Sequence, residues 1–128
     1  VVSGEALSVT PITLTIPVAT PSMNRFHGHH WTKKAKERKK WAWLVRVARM
    51  HLHPPLTPPE HVRLKIERYG ARLLDFDNFV SGTKPLTDSL VAEGFILDDS
   101  PAHLTAEYHQ HIGKPHRTVV RIESQQAQ

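Results

Sequence analysis

Cysteine is absent from the 128 residues, which removes disulfide scaffolds, thiolate zinc fingers and cysteine nucleophiles and fits a reducing compartment. No apolar run approaches the ~18 residues of a spanning helix, so a membrane protein is not expected. No positively charged segment leads into an apolar stretch at the start, so no secretory signal is expected, and a chain opening on Val1 rather than Met suggests trimming. No serine has a G-x-S-x-G context, which leaves a hydrolase triad unsupported. There is no internal repeat. What is present is the composition of a folded domain, 39% hydrophobic and 23% charged. A chain of this length should hide roughly two thirds of its unfolded surface in one core. A single domain over 1-128 is expected, with 1-9 and 124-128 as flexible ends.

Charge is distributed unevenly. Against 17 Lys and Arg stand 12 Asp and Glu, with ten histidines that add positive charge below neutral pH. Nine of the basic residues fall between Arg25 and Arg49 beside a single acid, Glu37, whereas Asp75 to Asp99 contains six acids and one base, Lys84. One surface should attract phosphate and one locus should attract cations.

Periodicity outlines the elements. Thr10, Ile12, Leu14 and Ile16 alternate with Pro11, Thr13, Thr15 and Pro17 as in a half-buried strand whose prolines mark its ends or an edge. Residues 21–31 read as a loop, and Thr32 can cap a helix through about Met50. Trp41, Leu44, Val45, Ala48 and Leu52 recur at spacings of three and four and should pack on a core. Lys33, Lys34, Lys36, Arg38, Lys39 and Lys40 leave the first half of that helix solvated or facing an anion. Pro54, Pro55, Pro58 and Pro59 stop the helix. Val62 to Tyr69 is a strand, broken by Gly70. A second helix should run to Glu93, with Leu86, Leu90 and Val91 inward and Gly94 as its left-handed terminator. Leu104 to Ile112 and Thr118 to Glu123 are expected to form an antiparallel hairpin through Gly113, Lys114 and Pro115. The resulting fold class is α/β (α+β), a small mixed β-sheet of about four strands with two packed helices.

The segment LLDFDNFVSGTKPLTDSLVAEGFILDDSP, Leu73 to Pro101, is the most informative. If the backbone stays extended after the strand, Asp75 and Asp77 project to the same side. Asp98 and Asp99 follow the second helix, and a helix of that length can return the chain near its starting level. Such converging carboxylates repel unless a cation is present. Mg2+ accepts oxygen ligands and completes its shell with water and substrate phosphate. A basic surface beside it suits phosphodiester hydrolysis, in which Lys84 stabilises developing charge. The competing view is that aspartates at turns and helix caps are common. An EF-hand is excluded because Phe79, Val80 and Leu86 stand where a ligand, a glycine and a glutamate are required. Ser81-Gly82-Thr83-Lys84 lacks the spaced glycines of a phosphate-binding loop. Asp75-Phe76-Asp77 also fits the carboxylate pair of sugar-nucleotide transferases, whose two-lobed domain is longer than this chain.

The pattern D-x-D-N, then K-x-x-x-D-x-L, then G-x-x-x-D-D resembles the RusA-type crossover junction endodeoxyribonucleases, Holliday junction resolvases of bacteria and their prophages. The motif core spans 25 residues, Asp75 to Asp99. The first strand with Pro21-Ser22-Met23-Asn24-Arg25 resembles the family's N-terminal strand and P-S-N turn. The resemblance implies that Asp75, Asp77 and Asp99 are the essential carboxylates, that Asp98 is the acid beside the last of them, that Lys84 is the catalytic lysine and that Asn78 closes D-x-D-N. It further implies a homodimer that binds four-way DNA junctions, requires Mg2+ or Mn2+ without any small-molecule cofactor, and makes paired symmetric nicks in the cytoplasm of a bacterial host or phage-infected cell. Two departures stand out: Ser81-Gly82-Thr83 lie between Asn78 and Lys84 where the compact form has none, and Leu74 precedes Asp75 where an arginine occurs in the best-known member, the nearest candidate being Arg72.

Metal binding is therefore expected at Asp75, Asp77, Asp98 and Asp99, with Asp88, four residues after Lys84, placed to orient that lysine. DNA contacts are expected from Asn24, Arg25, Lys33, Lys34, Lys36, Arg38, Lys39, Lys40 and Arg72. Trp31, Phe26 and His30 are candidates to stack on distorted bases, whereas Trp41 and Trp43 read as core and rim of the first helix. Two histidine groups, His27 with His29 and His30, and His109 and His111 with Glu107, offer a zinc alternative, although polar residues on one face of an antiparallel strand are normally just exposed.

Overall fold

A computed structural model describes residues 11–22, 31–52 and 57–124. Asn24 and Arg25, the stacking candidates Phe26 and His30, the histidines 27 and 29, Pro54 and Pro55, and the end segments 1–9 and 125–128 lie outside the described residues. Within them the elements run β1 (Ile12–Ile16), α1 (Trp31–Arg49), β2 (Val62–Gly70), α2 (Phe76–Gly82), α3 (Lys84–Ala92), β3 (Leu104–Ile112) and β4 (Arg117–Ser124). The four strands form one mixed sheet in the order β1-β4-β2-β3. No helix among the described residues is long and apolar enough to cross a membrane.

Period-two alternation decides which side of the sheet is buried. Leu14 and Ile16 on β1, Val62, Leu64 and Ile66 on β2, and Val120 and Ile122 on β4 face one common core. Trp41 and Val45 of α1, Phe79 of α2, Leu86 and Leu90 of α3, and Phe95 and Ile96 beyond it close that core from above. The other face carries Arg63, Lys65, Glu67 and Tyr69 opposite Thr105, Glu107, His109 and His111. Only one sheet face is therefore packed.

The hairpin expected between the last two strands does not form. β4 pairs antiparallel with both β1 and β2, and β3 pairs parallel with β2 on its far side. Adjacency in sequence suggested a hairpin, but α2 and α3 provide the long crossover that a parallel β2–β3 pair needs. The apolar β4, with Thr118, Val120 and Ile122 buried, takes an interior position, and the more polar β3 takes an edge. Ser124, expected to fray, ends β4 opposite Val62.

In α1, Trp41 and Val45 are buried and Leu44 and Ala48 pack partly against them, as the spacing predicts. The indole Nε1 of Trp41 donates to Glu37 Oε1 at 2.9 Å, which satisfies its one polar atom. Trp43 is 64% exposed, the rim position. At the end of the helix Arg46 and Arg49 reach Glu93, at 3.1 and 3.6 Å, and so belong to the packing of α1 on α3. The expected second helix is two segments joined at Thr83. Pro85 has no N–H to give the Ser81 carbonyl, and the ladder resumes with Thr87 N–H to Thr83 O at 2.9 Å. At the end of α3, Gly94 has φ 86°. Phe95 N–H bonds Leu90 O and Gly94 N–H bonds Val91 O, the paired bonds of a Schellman terminus.

Trp41→Ala should lower the unfolding free energy by about 3–5 kcal/mol. Trp43→Ala should change it by less than about 0.5 kcal/mol. Chemical denaturation of both variants checks the contrast, and equal effects would contradict the assignment of core and rim.

Candidate active site

Asp75 is not on an extended strand beside Asp77. It is the residue preceding α2, with φ −56° and ψ 145°, and Asp77 already lies in the first helical turn. Along a helix, residues two apart do not share a side. The extended backbone expected through Asp75 and Asp77 is therefore replaced by a helix start at Phe76. Asp75 instead engages Asn78, whose Nδ2 donates to Asp75 Oδ2 at 3.2 Å, the local contact that closes the D-x-D-N sequence. Asp77 and Asp98 are exposed.

The return of the chain after α3 does occur. Lys84 opens α3, Asp99 follows it, and the ammonium Nζ lies 2.6 Å from Asp99 Oδ2 and 3.1 Å from Asp88 Oδ1, the latter one helical turn away. Asp88 thus contacts Lys84 as the four-residue spacing predicts, even with Ser81-Gly82-Thr83 intervening before it. The hydrogen bond from Lys84 holds the Asp99 carboxyl below the ordinary aspartate range. Reciprocally, hydrogen bonds to Asp99 and then Asp88 raise the Lys84 ammonium. Both groups are charged at neutral pH.

Two groups thus stand where one was expected: Lys84 with Asp88 and Asp99, and Asp75 with Asn78. Among the described residues, no three His, Asp or Glu side chains are grouped so as to hold a metal ion. The strand histidines behave likewise. Glu107 is shared between His109 at 3.4 Å and Arg63 at 3.3 Å, while His111 turns to Glu67 at 3.0 Å and stacks on Tyr69.

Lys33, Lys34, Lys36, Arg38, Lys39 and Lys40 are all exposed. The ion pairs formed by Lys and Arg among the described residues involve Arg46, Arg49, Arg63, Lys84 and Arg121 and none of these six. Because α1 packs on α3, this basic surface borders the acid–lysine group. A groove of about 310 Å³ is lined by Lys34 and Arg38 on one side and Lys84 and Asp88 on the other. Lys84 and Asp99 also line a second hollow of about 430 Å³. The arrangement can attract a polyanion along α1 and present it to a fixed ammonium.

Sequence reasoning missed Arg68. It lies on β2 after Val62, Leu64 and Ile66, so its alternation points a guanidinium inward, and it is only 9% exposed. A charged residue at an inward position of an alternating strand was the available signal. Arg72, expected to contact DNA, is exposed, and its carbonyl accepts from Arg68 Nη1 at 3.1 Å.

Carboxyl titration followed by NMR should give Asp99 a midpoint below that of an ordinary aspartate, and Lys84→Met should return it to the usual range. An unmoved midpoint would contradict the pairing. Its folded pKa being depressed, Asp99 adds stability above the unfolded carboxyl range, and this is lost as pH falls through the folded value. For Lys84, whose folded pKa is raised, the contribution is present below the unfolded value and lost as pH rises through the folded one. With side chains 61% and 36% exposed, the pair should contribute no more than about 1 kcal/mol.

Compared with known proteins, the chain matches no family model and shows no significant match to a curated protein.

Proposed function

We propose that the chain is a RusA-like DNA endonuclease that resolves four-way junctions by paired symmetric nicks. The observation that carries the reading is the placement of Lys84, held by Asp88 and Asp99, at the groove whose other wall carries Lys34 and Arg38 of α1, which form no ion pair among the described residues. In this reading Lys33, Lys34, Lys36, Arg38, Lys39 and Lys40 neutralise backbone phosphates, with Arg72 farther along. Lys84 places its charge against the oxygen on which negative charge builds during phosphodiester cleavage. The resemblance adds a homodimer, cytoplasmic action in a bacterial host or phage-infected cell, and Mg2+ with Mn2+ as substitute. A divalent ion held by Asp75, Asp77, Asp98 and Asp99 would acidify a water and neutralise phosphate charge. As arranged, those carboxylates do not fit a three-ligand site among the described residues, and Asp99 already has Lys84 as its counter-ion.

That same pairing favours a second reading, a branched-DNA-binding protein without catalytic activity. A third is a nuclease of the same scaffold that prefers forks or flaps. Purified protein incubated with a mobile four-way junction, a Y-fork and linear duplex, in Mg2+, Mn2+ or EDTA, separates them. The expected result is symmetric nicking of the junction in Mg2+, abolished by EDTA. Asp77→Asn should abolish it, and Lys84→Ala should slow it by about 100-fold or more, while junction binding is retained. Normal cutting by Asp77→Asn would contradict the catalytic assignment. Salt-sensitive binding with no cutting of any substrate would leave the binding protein.

A further inference from the structure

We infer that the cavity built around the buried guanidinium of Arg68 binds a phosphate group. This site is separate from the Lys84 group, although its walls include the Asp75 and Arg72 of the proposed nuclease, and the inference does not require that the chain cut DNA. The cavity is about 930 Å³ and lies between the segment after β1 and the segment between β2 and α2, with Thr20, Arg68, Arg72, Asp75, Asn78 and His116 among its walls. Its volume suits a phosphate together with an attached sugar.

Arg68 is held as a fixed donor. Its Nε donates to Thr20 O at 2.7 Å and its Nη1 to Arg72 O at 3.1 Å. Those two bonds use two of five N–H groups and hold the guanidinium plane against neutral carbonyls. No described carboxylate forms an ion pair with it. A buried cation without a counter-ion is costly to keep. Burial, and then repulsion from Arg72, lower its affinity for its proton. An anion in the cavity would relieve both. Gly70 contributes by lacking a side chain, because an added Cβ would run into the Arg68 guanidinium. Thr20 also lines the cavity, and its Oγ1, itself buried, has no hydrogen-bond partner among the described residues.

The charges around the cavity favour an oxyanion over a cation. Arg68 and Arg72 are permanently positive and His116 adds charge on protonation, against one acid, Asp75, to which Asn78 Nδ2 already donates. Phosphate suits the planar fork of arginine with donors to spare, and two guanidinium groups match its charge and its several oxygens better than a single carboxylate would. The phosphate can belong to a nucleic-acid strand or be free in solution, since both present the same group.

NMR titration of the full chain separates these sources. Inorganic phosphate, a short single-stranded oligodeoxynucleotide, and acetate at matched ionic strength are added in turn, following the Arg68 Nε–H signal and the amides of Thr20 and Asn78. Saturable shifts with phosphate or the oligonucleotide, and none with acetate, are expected; shifts by the oligonucleotide alone assign the phosphate to a strand, and shifts by phosphate alone assign a free anion. Arg72→Ala, an exposed substitution that should leave the fold intact, should weaken binding about 10-fold. Arg68→Gln should weaken it further, and if that variant does not fold, Arg72→Ala decides. Unmoved Arg68 and Thr20 signals, equal shifts with acetate, or unchanged affinity in Arg72→Ala would overturn the inference. Phosphate binding here in a protein that cuts no DNA would sink the nuclease reading alone. Cutting that proceeds with no phosphate response at Arg68 would sink this inference alone.

Discussion

The functional account depends on one interaction, the ammonium of Lys84 lying between Asp99 and Asp88. Everything that makes the site plausible follows from how the chain arranges it. Pro85 interrupts the helical ladder and starts a new helix at Lys84. Leu86 and Leu90 bury the inward side of that helix, and the Gly94 terminus turns Phe95 and Ile96 into the core, which directs the chain toward Asp99 and back to Lys84. The exposed ion pair adds little stability. Its importance is positional, because it keeps a charged ammonium beside the basic surface of α1.

Charge is otherwise sorted by structural duty. Arg46 and Arg49 of α1 are committed to Glu93, whereas the six basic residues of its first half have no such partner among the described acids. Arg68 is buried near the end of β2 and donates to two backbone carbonyls, with no ion pair among the described residues. On the open face of the sheet Arg63, Glu107 and His109 form one chain of contacts and Glu67, His111, Tyr69 and Arg117 another. Positive charge that forms no ion pair among the described residues is thus found on α1 and around the Arg68 cavity, where a polyanion would be neutralised.

Much of the fold was legible in the sequence because burial has a period. Alternation identified β1, β2, β3 and β4, and spacings of three and four identified the Trp41 and Val45 face of α1. Periodicity reports which side is buried but not which strand is the neighbour, so it does not separate a β3–β4 hairpin from the parallel β2–β3 pairing observed. The site was legible in part. The four-residue spacing of Lys84 and Asp88 is a helical neighbour relation, and it holds. The expected extended backbone at Asp75 and Asp77 is interrupted because a helix begins between them at Phe76. Arg68 announced itself as a charge in an apolar register, a signal that motif reading passes over because it belongs to no motif.

The proposed nuclease function requires that Asp75, Asp77 and Asp99 gather around a divalent ion when the protein acts on DNA. Anomalous diffraction from crystals grown with Mn2+ and a junction oligonucleotide tests it most directly. The account predicts an anomalous peak within about 2.0–2.2 Å of carboxylate oxygens from at least two of these residues, with Lys84 released from Asp99 toward a phosphate. No peak there, with Lys84 still on Asp99 and DNA bound along α1, would contradict it.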